Sequence, residues 1–255
     1  MWPAEETLPP LDCHAHIAPD VTRQQVAGLE GAQVFAVTRT LAQAALVAGR
    51  RDFGLVWGLG AHPGDLAARS TFDVATFVGL LDRFALIGEI GLDRRSGDVA
   101  RQQQILDEIL TSVRGRPVLL SLHSTGAVDE VLEVLTQRPG HGAILHWFAG
   151  DASQVRRAAA LGCYFSVSAA MSDEQLARLP PDRMLPETDF PSSQRRTGAQ
   201  RPGDVLAIET RLEMLWPQAG VSVRRQLYRN LRELAITSGA IGRLPEQLVD
   251  LLLAA

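Results

Sequence analysis

The chain has 255 residues, of which 46% are hydrophobic and 21% charged, and carries a formal net charge of −4. That balance excludes a protein that coats nucleic acid non-specifically, while leaving ample apolar content for a large core. No run of 18 or more apolar residues occurs, so a membrane-spanning helix is not expected. The opening Met1-Trp2-Pro3-Ala4-Glu5-Glu6 is acidic and lacks an apolar stretch, and is not read as a secretion signal. Cys13 and Cys163 are too few for a disulfide framework and fit a reduced, cytoplasmic setting. All 25 cationic side chains are arginine, so each offers a planar fork suited to bidentate phosphate contact.

Along the chain, short β-type runs alternate with helical patterns. The first expected strand, 11–16, reads Leu11-Asp12-Cys13-His14-Ala15-His16, and the second spans 34–38. The third, 55–61, runs into Gly60-Ala61-His62-Pro63. The fourth, 85–90, leads through Gly88-Glu89-Ile90-Gly91-Leu92-Asp93 to Arg94, Arg95 and Arg101. A helix is expected over 100–113, where Ile105, Leu106, Ile109, Leu110 and Val113 fall at helical spacing. Strand five, 118–123, ends on His123, and a helix follows over 127–136. Strand six, 143–148, contains His146 and Trp147 and precedes a helix over 153–160. Strands seven and eight lie at 164–168 and 184–188, the last followed by Asp189. An arginine-, glycine- and proline-rich loop over 192–203 carries Arg195, Arg196 and Arg201, and helical patterns follow near 204–216, 222–238 and 245–253. Eight strand–helix units in a chain of this size predict an α/β TIM (β/α)₈ barrel with additional C-terminal helices, one domain over 1–255.

Five of the six histidines and two acids fall at the downstream ends of strands, the rim where barrels of this kind build their sites. Strict alternation turns Asp12, His14 and His16 to one face, into the barrel. Glu89 sits between glycines, where a buried carboxylate is costly unless paired or bound to metal, and a ligand bridging two ions fits. His123, His146 and Asp189 complete four imidazoles and two carboxylates. Such a set suffices for two divalent ions about 3.5–4 Å apart, and suits Zn²⁺ or Mn²⁺ better than Mg²⁺. His62 either holds a phosphate, protonates a leaving group or packs its own turn. His141 reads as an exposed turn residue without a role. Arg94, Arg95, Arg101, Arg195, Arg196 and Arg201 are expected to form a positive collar that steers a phosphate backbone. Arg225, Arg229 and Arg232 share a helix face that reads as solvated.

Taken in order, Asp12–His16, Gly60–Pro63, Gly88–Asp93, Pro117–His123, His146–Gly150 and Glu187–Pro191 resemble the TatD family of metal-dependent deoxyribonucleases, which are barrels of the amidohydrolase superfamily. Asn230-Leu231-Arg232 is similar to that family's closing helix. The resemblance implies that His14, His16 and Asp189 hold a first metal, His123 and His146 a second, and that Glu89 bridges them. It also implies that Asp189 is the general base and that His62 lies against the substrate phosphate. The activity implied is DNA hydrolysis, commonly 3′-to-5′ on single strands. The chain departs from the family at Thr125, where arginine is usual, at Ala149, where serine is usual, and in the loop 192–203. In these departures it resembles the QatD type of anti-phage cassettes, which implies protein partners in a defence complex. Two other readings share the same metal site: a small-molecule deacylase or lactonase, and a partner-binding subunit without catalysis. The arginine collar favours phosphate over a neutral carbonyl substrate.

Overall fold

The computed structural model describes residues 8–216 and 222–255; the opening segment Met1–Glu6 lies outside them. Eight strands, β1 Leu11–His16, β2 Gln33–Val37, β3 Leu55–Leu59, β4 Leu86–Gly91, β5 Leu119–His123, β6 Ala143–Leu145, β7 Tyr164–Val167 and β8 Met184–Pro186, form one sheet in sequential order. All seven ladders are parallel. The ring closes between β8 and β1, where the Asp189 N–H donates to His14 O at 2.9 Å and the His16 N–H to Phe190 O at 2.7 Å. This is the TIM barrel expected, with helices around it.

The strands are apolar on both faces because both are covered. Outward residues such as Val34, Trp57, Ile87, Leu120 and Leu145 pack against helix residues including Phe77, Ile105, Ile109 and Leu132. Inward residues, among them Leu11, Phe35, Val56, Leu86, Ile144 and Leu185, pack with Tyr228, Leu231 and Leu234 of the helix Val223–Thr237. That helix plugs the N-terminal end of the barrel. The Asn230 amide donates to Pro181 O and Met184 O at 2.7 and 2.8 Å, and the Tyr228 hydroxyl donates to Pro9 O at 3.0 Å. With one end sealed, only the C-terminal rim is open.

Helices at Val99–Ser112, Val128–Gln137, Ala152–Ala160, Leu206–Leu215, Val223–Thr237 and Glu246–Ala254 match the expected ones within a residue or two. The sixth and eighth strands are shorter than expected. β6 stops at Leu145, after which Trp147 takes a left-handed φ of 42°, and β8 stops at Pro186, with Asp189 at φ 47°. In both cases the chain abandons extended geometry in order to turn a side chain into the mouth. Gly60 is needed where β3 ends, since a Cβ there would lie 1.9 Å from Thr38 O. No helix among the described residues is long and apolar enough to cross a membrane, and Cys13 and Cys163 are both free and buried.

Candidate metal centre

Two bulges shape the site. β1 pairs Asp12 with Val34 and then Ala15 with Ala36, so one extra residue is accommodated at Cys13–His14. β4 pairs Ile87 with Leu120 and then Ile90 with Leu122, which places another at Gly88–Glu89. Bulges re-aim side chains, and here each falls at a candidate ligand. The first one overturns the expectation that Asp12, His14 and His16 share a face. The Asp12 carboxylate instead accepts hydrogen bonds from Thr188 N and Oγ1, Gly203 N and His14 N. Burial raises its pKa to about 6 against the pull of those donors. Asp12 fastens β1 to the segment after β8 and takes no part in the cluster.

Glu89, 1% exposed, stands at the centre of five imidazoles. Its Oε2 lies 3.5 Å from His14 Nε2, 3.2 Å from His16 Nε2 and 3.3 Å from His62 Nε2. Its Oε1 lies 2.6 Å from His123 Nδ1 and 3.5 Å from His146 Nε2. Asp189 Oδ1 approaches His14 and His16 Nε2 at 3.9 and 3.7 Å. The four expected imidazoles and His62 therefore converge on the Glu89 carboxylate, with Asp189 beside His14 and His16.

Hydrogen-bond partners sort the imidazoles by tautomer. His146 Nδ1 faces Glu187 Oε2 at 3.1 Å and so carries a proton there, which leaves Nε2 as the nitrogen directed at the cluster. His14 is set by Ser121 Oγ, 2.8 Å from its Nδ1. His62 is the opposite case. Its Nδ1 accepts from Gly64 N–H at 2.9 Å, so Nε2 bears the proton and donates toward Glu89. Three triads of ligand atoms lie close enough to share an ion: His14, His16 and Asp189; His14, Glu89 and His146; His62, Glu89 and His123. The first is the triad expected. The expected grouping of His123 with His146 is not among them, because His146 stacks on His14 at 3.8 Å and His123 turns Nε2 toward Asp93 Oδ2 at 3.6 Å. Proximity would admit His62 to the third triad, but its tautomer makes it a proton donor.

The charges follow from this crowding. Burial opposes ionisation of Glu89, yet the imidazoles of His62, His14 and His123 outweigh it and hold its carboxyl well below the usual range. Burial pushes Asp189 up to about 7 and brings His14 and His62 down to about 4. His146 is raised to about 10: burial works against its charge, but Glu187 and Glu89 prevail. His14 Nε2, His123 Nε2 and Glu89 Oε2 are buried without a hydrogen-bond partner. Each such orphan costs about 1–3 kcal/mol, and donors of this kind fit divalent cations. The imidazole and carboxylate donors fit Zn²⁺ or Mn²⁺.

The family profile of TatD-related DNases matches residues 11–235 of this chain. The chain belongs to the TatD-related DNase family. It is a metal-dependent hydrolase of that family, and the clustered donors are able to bind metal ions. A relative, the 3′-5′ ssDNA/RNA exonuclease TatD of Cronobacter sakazakii, is 28% identical over 71% of this chain and 74% of its own length. In fold, the chain is similar to YJJV, a TatD homolog from Escherichia coli K12, with a TM-score of 0.75, 24% identity and coverage of 88% and 96% of the two chains. A TatD family hydrolase from Entamoeba histolytica superimposes with a TM-score of 0.66 at 15% identity, over 83% of this chain and 87% of that one.

In this TatD-family member the cluster opens into a cavity of 740 Å³ lined by His123, His146, Asp189, Trp147, Arg95 and Arg196, with Thr125 and Arg94 also on its wall. The arginine collar is thereby reduced. Arg101 donates to Arg69 O and Phe72 O, and Arg201 to Gly28 O and Glu30, so both are engaged in holding loops. Arg94 pairs with Glu130, and Arg195 does not line the cavity. Arg39, at the end of β2, was not anticipated. Its guanidinium donates to Ser192 Oγ at 2.9 Å, and its charge acts on His62. Glu187, Asp93 and Ser121 were also missed as positioning residues. Glu187 and Ser121 each stand two residues before a ligand, and that spacing was the available signal.

Proposed function

We propose that this TatD-family hydrolase cleaves phosphodiester bonds of single-stranded DNA as a 3′-to-5′ exonuclease, using two divalent ions held by the Glu89 cluster. The observation that carries the reading is Glu89 within 3.5 Å of five imidazole nitrogens, two of which, His123 and His146, line with Asp189 a cavity that also carries Arg94, Arg95 and Arg196. His14, His16 and Asp189 would hold one ion, and Glu89 with the imidazoles of His146 and His123 would supply the donors for a second. When bound, the ions supply an activated water and neutralise charge on the phosphate.

The remaining chemistry belongs to the side chains. Asp189, whose pKa sits at about 7, takes the proton of the attacking water at its carboxylate. His62, with its proton on Nε2, donates to a phosphate oxygen. Arg95 and Arg196 hold the strand's backbone charge. The Cronobacter relative, a 3′-5′ exonuclease named for single strands of both DNA and RNA, supports the choice of strand and polarity. A role in anti-phage defence, alongside protein partners, is part of this proposal and rests on the departures at Thr125, Ala149 and 192–203.

The test incubates purified protein and Mn²⁺ with 5′-labelled single-stranded and duplex DNA. A ladder shortening from the 3′ end of the single strand, absent with chelator and with Asp189→Asn, is expected. Cleavage that survives both chelator and the substitution overturns the reading.

A further inference from the structure

The cavity above the cluster contains an aromatic ring that the proposed mechanism does not use. Trp147 follows His146 directly, and its backbone φ of 42° lies in the left-handed region, a costly conformation for a bulky aromatic residue. Arg196, from the loop after β8, sits over the indole with its guanidinium carbon 4.5 Å from the ring centroid. Charges elsewhere on this wall are spoken for: Glu130 pairs with Arg94, and Asp129 with Arg157 and Gln154. Among the described residues, the side chains of Arg196 and Arg95 make no hydrogen bond or ion pair. The Trp147 indole N–H donates to no described residue either. Two binding groups are thus held together at the mouth: Trp147, next to His146 and partly buried against the core, and Arg196 stacked on its outer side.

We propose that Trp147 and Arg196 form a stacking shelf for a nucleobase adjacent to the scissile phosphate. The inference deepens the nuclease reading and rests on it. The indole backs the guanidinium, and the outer face of that planar cation receives the base. Guanidinium planes stack on aromatic rings and on bases alike. Such stacking tolerates any base, because every base has a π face. The free edge of the same guanidinium remains available to a phosphate oxygen, so one arginine reads both base and backbone. An aliphatic ester or lactone offers no aromatic face beside its reacting carbon and gains nothing from the pair.

The test compares two six-residue single strands: hexathymidylate, and the same backbone with tetrahydrofuran residues replacing the nucleosides. With Mn²⁺ present, the wild type is expected to favour the thymine strand by about 5- to 150-fold, chiefly through KM. Trp147→Ala and Arg196→Lys should each bring the ratio between the strands toward one, and Trp147→Phe should keep most of it. A wild-type ratio near one overturns the shelf. So does a Trp147→Ala protein that slows on both strands while preserving the ratio, which would mark the ring as structural. Should neither strand be cleaved, the nuclease reading fails, and titrating tryptophan fluorescence with both strands decides the shelf separately. Tighter, Trp147-dependent binding of the thymine strand upholds it; equal binding, or none, overturns it.

Discussion

His146 and Glu187 are locked together across 41 residues of chain, with Nδ1 3.1 Å from Oε2 and both side chains buried. Ser166 donates to the same carboxylate oxygen, fixing it in place. The pair decides which nitrogen of His146 is free to bind metal. Outer partners of this kind typically contribute 10- to 100-fold to metal affinity or activity. Glu187→Gln should therefore weaken Mn²⁺ binding by roughly that factor while the far-ultraviolet spectrum stays unchanged. Unaltered affinity in a competition titration would show that the pair is not what orients the ligand.

Metal binding should release protons. In the metal-free protein Asp189 titrates at about 7 and His146 at about 10, both raised, so near neutrality His146 and part of the Asp189 population hold protons that a cation must displace. The sign is definite: as pH falls through about 7, protonated Asp189 becomes the favoured form and affinity drops, whereas above it the carboxylate is ready. Calorimetry in two buffers of different ionisation enthalpy reads the proton count. A heat independent of buffer contradicts this account.

Arg196 and Arg195 are neighbours with different fates. Arg196 lines the cavity and Arg195 does not. Arg196→Ala should reduce the slope of log affinity against log salt by about 0.7 for a single strand, the share of one phosphate contact. Arg195→Ala should leave the slope unchanged. Equal effects of the two substitutions would restore the wider arginine collar expected from sequence.

Asn230 ties the plugging helix to the start of β8 through one buried and one partly buried hydrogen bond. Asn230→Ala leaves two carbonyl acceptors unpaired, at about 1–3 kcal/mol each if fully buried. A loss of about 2–4 kcal/mol in urea denaturation is expected, with metal affinity little changed because the cluster lies at the opposite end of the barrel. A change under about 0.5 kcal/mol, the range of an ordinary surface substitution, would show that water takes over those carbonyls.

Burial pushes the Cys163 thiol up to about 12 and Cys13 well above its usual value. Since thiolate is the reactive form, neither should label with a disulfide reagent at mildly alkaline pH until the protein unfolds. Rapid labelling of either in the folded state would show that its surroundings open.

The eight-stranded barrel was legible because β1 and β5 are apolar runs with sharp limits, and the amphipathic stretch Val99–Ser112 announces its own buried face. The clustered histidines and acids were legible because they end those runs. Pairing was not. Asp12 reads as facing into the barrel with His14 and His16 until the bulge at Cys13–His14 turns it toward Thr188 and Gly203. Glu187 reads as an ordinary acid until His146 arrives from a distant strand. Arg39 gives no local sign that it will meet Ser192 across the rim. Spacing along a strand reports which face a residue occupies, while partners from other strands are set by register, which bulges alter.

The account depends most on the Glu89 cluster being a two-ion hydrolytic site. The direct measurement is the rate of single-strand hydrolysis by metal-stripped protein as Mn²⁺ is returned in known amounts per chain. We predict no rate without metal, a rise that saturates at about two ions per chain as expected for a two-metal site, and no recovery in Glu89→Ala. Full activity in the stripped protein, or an undiminished rate in Glu89→Ala, would contradict it.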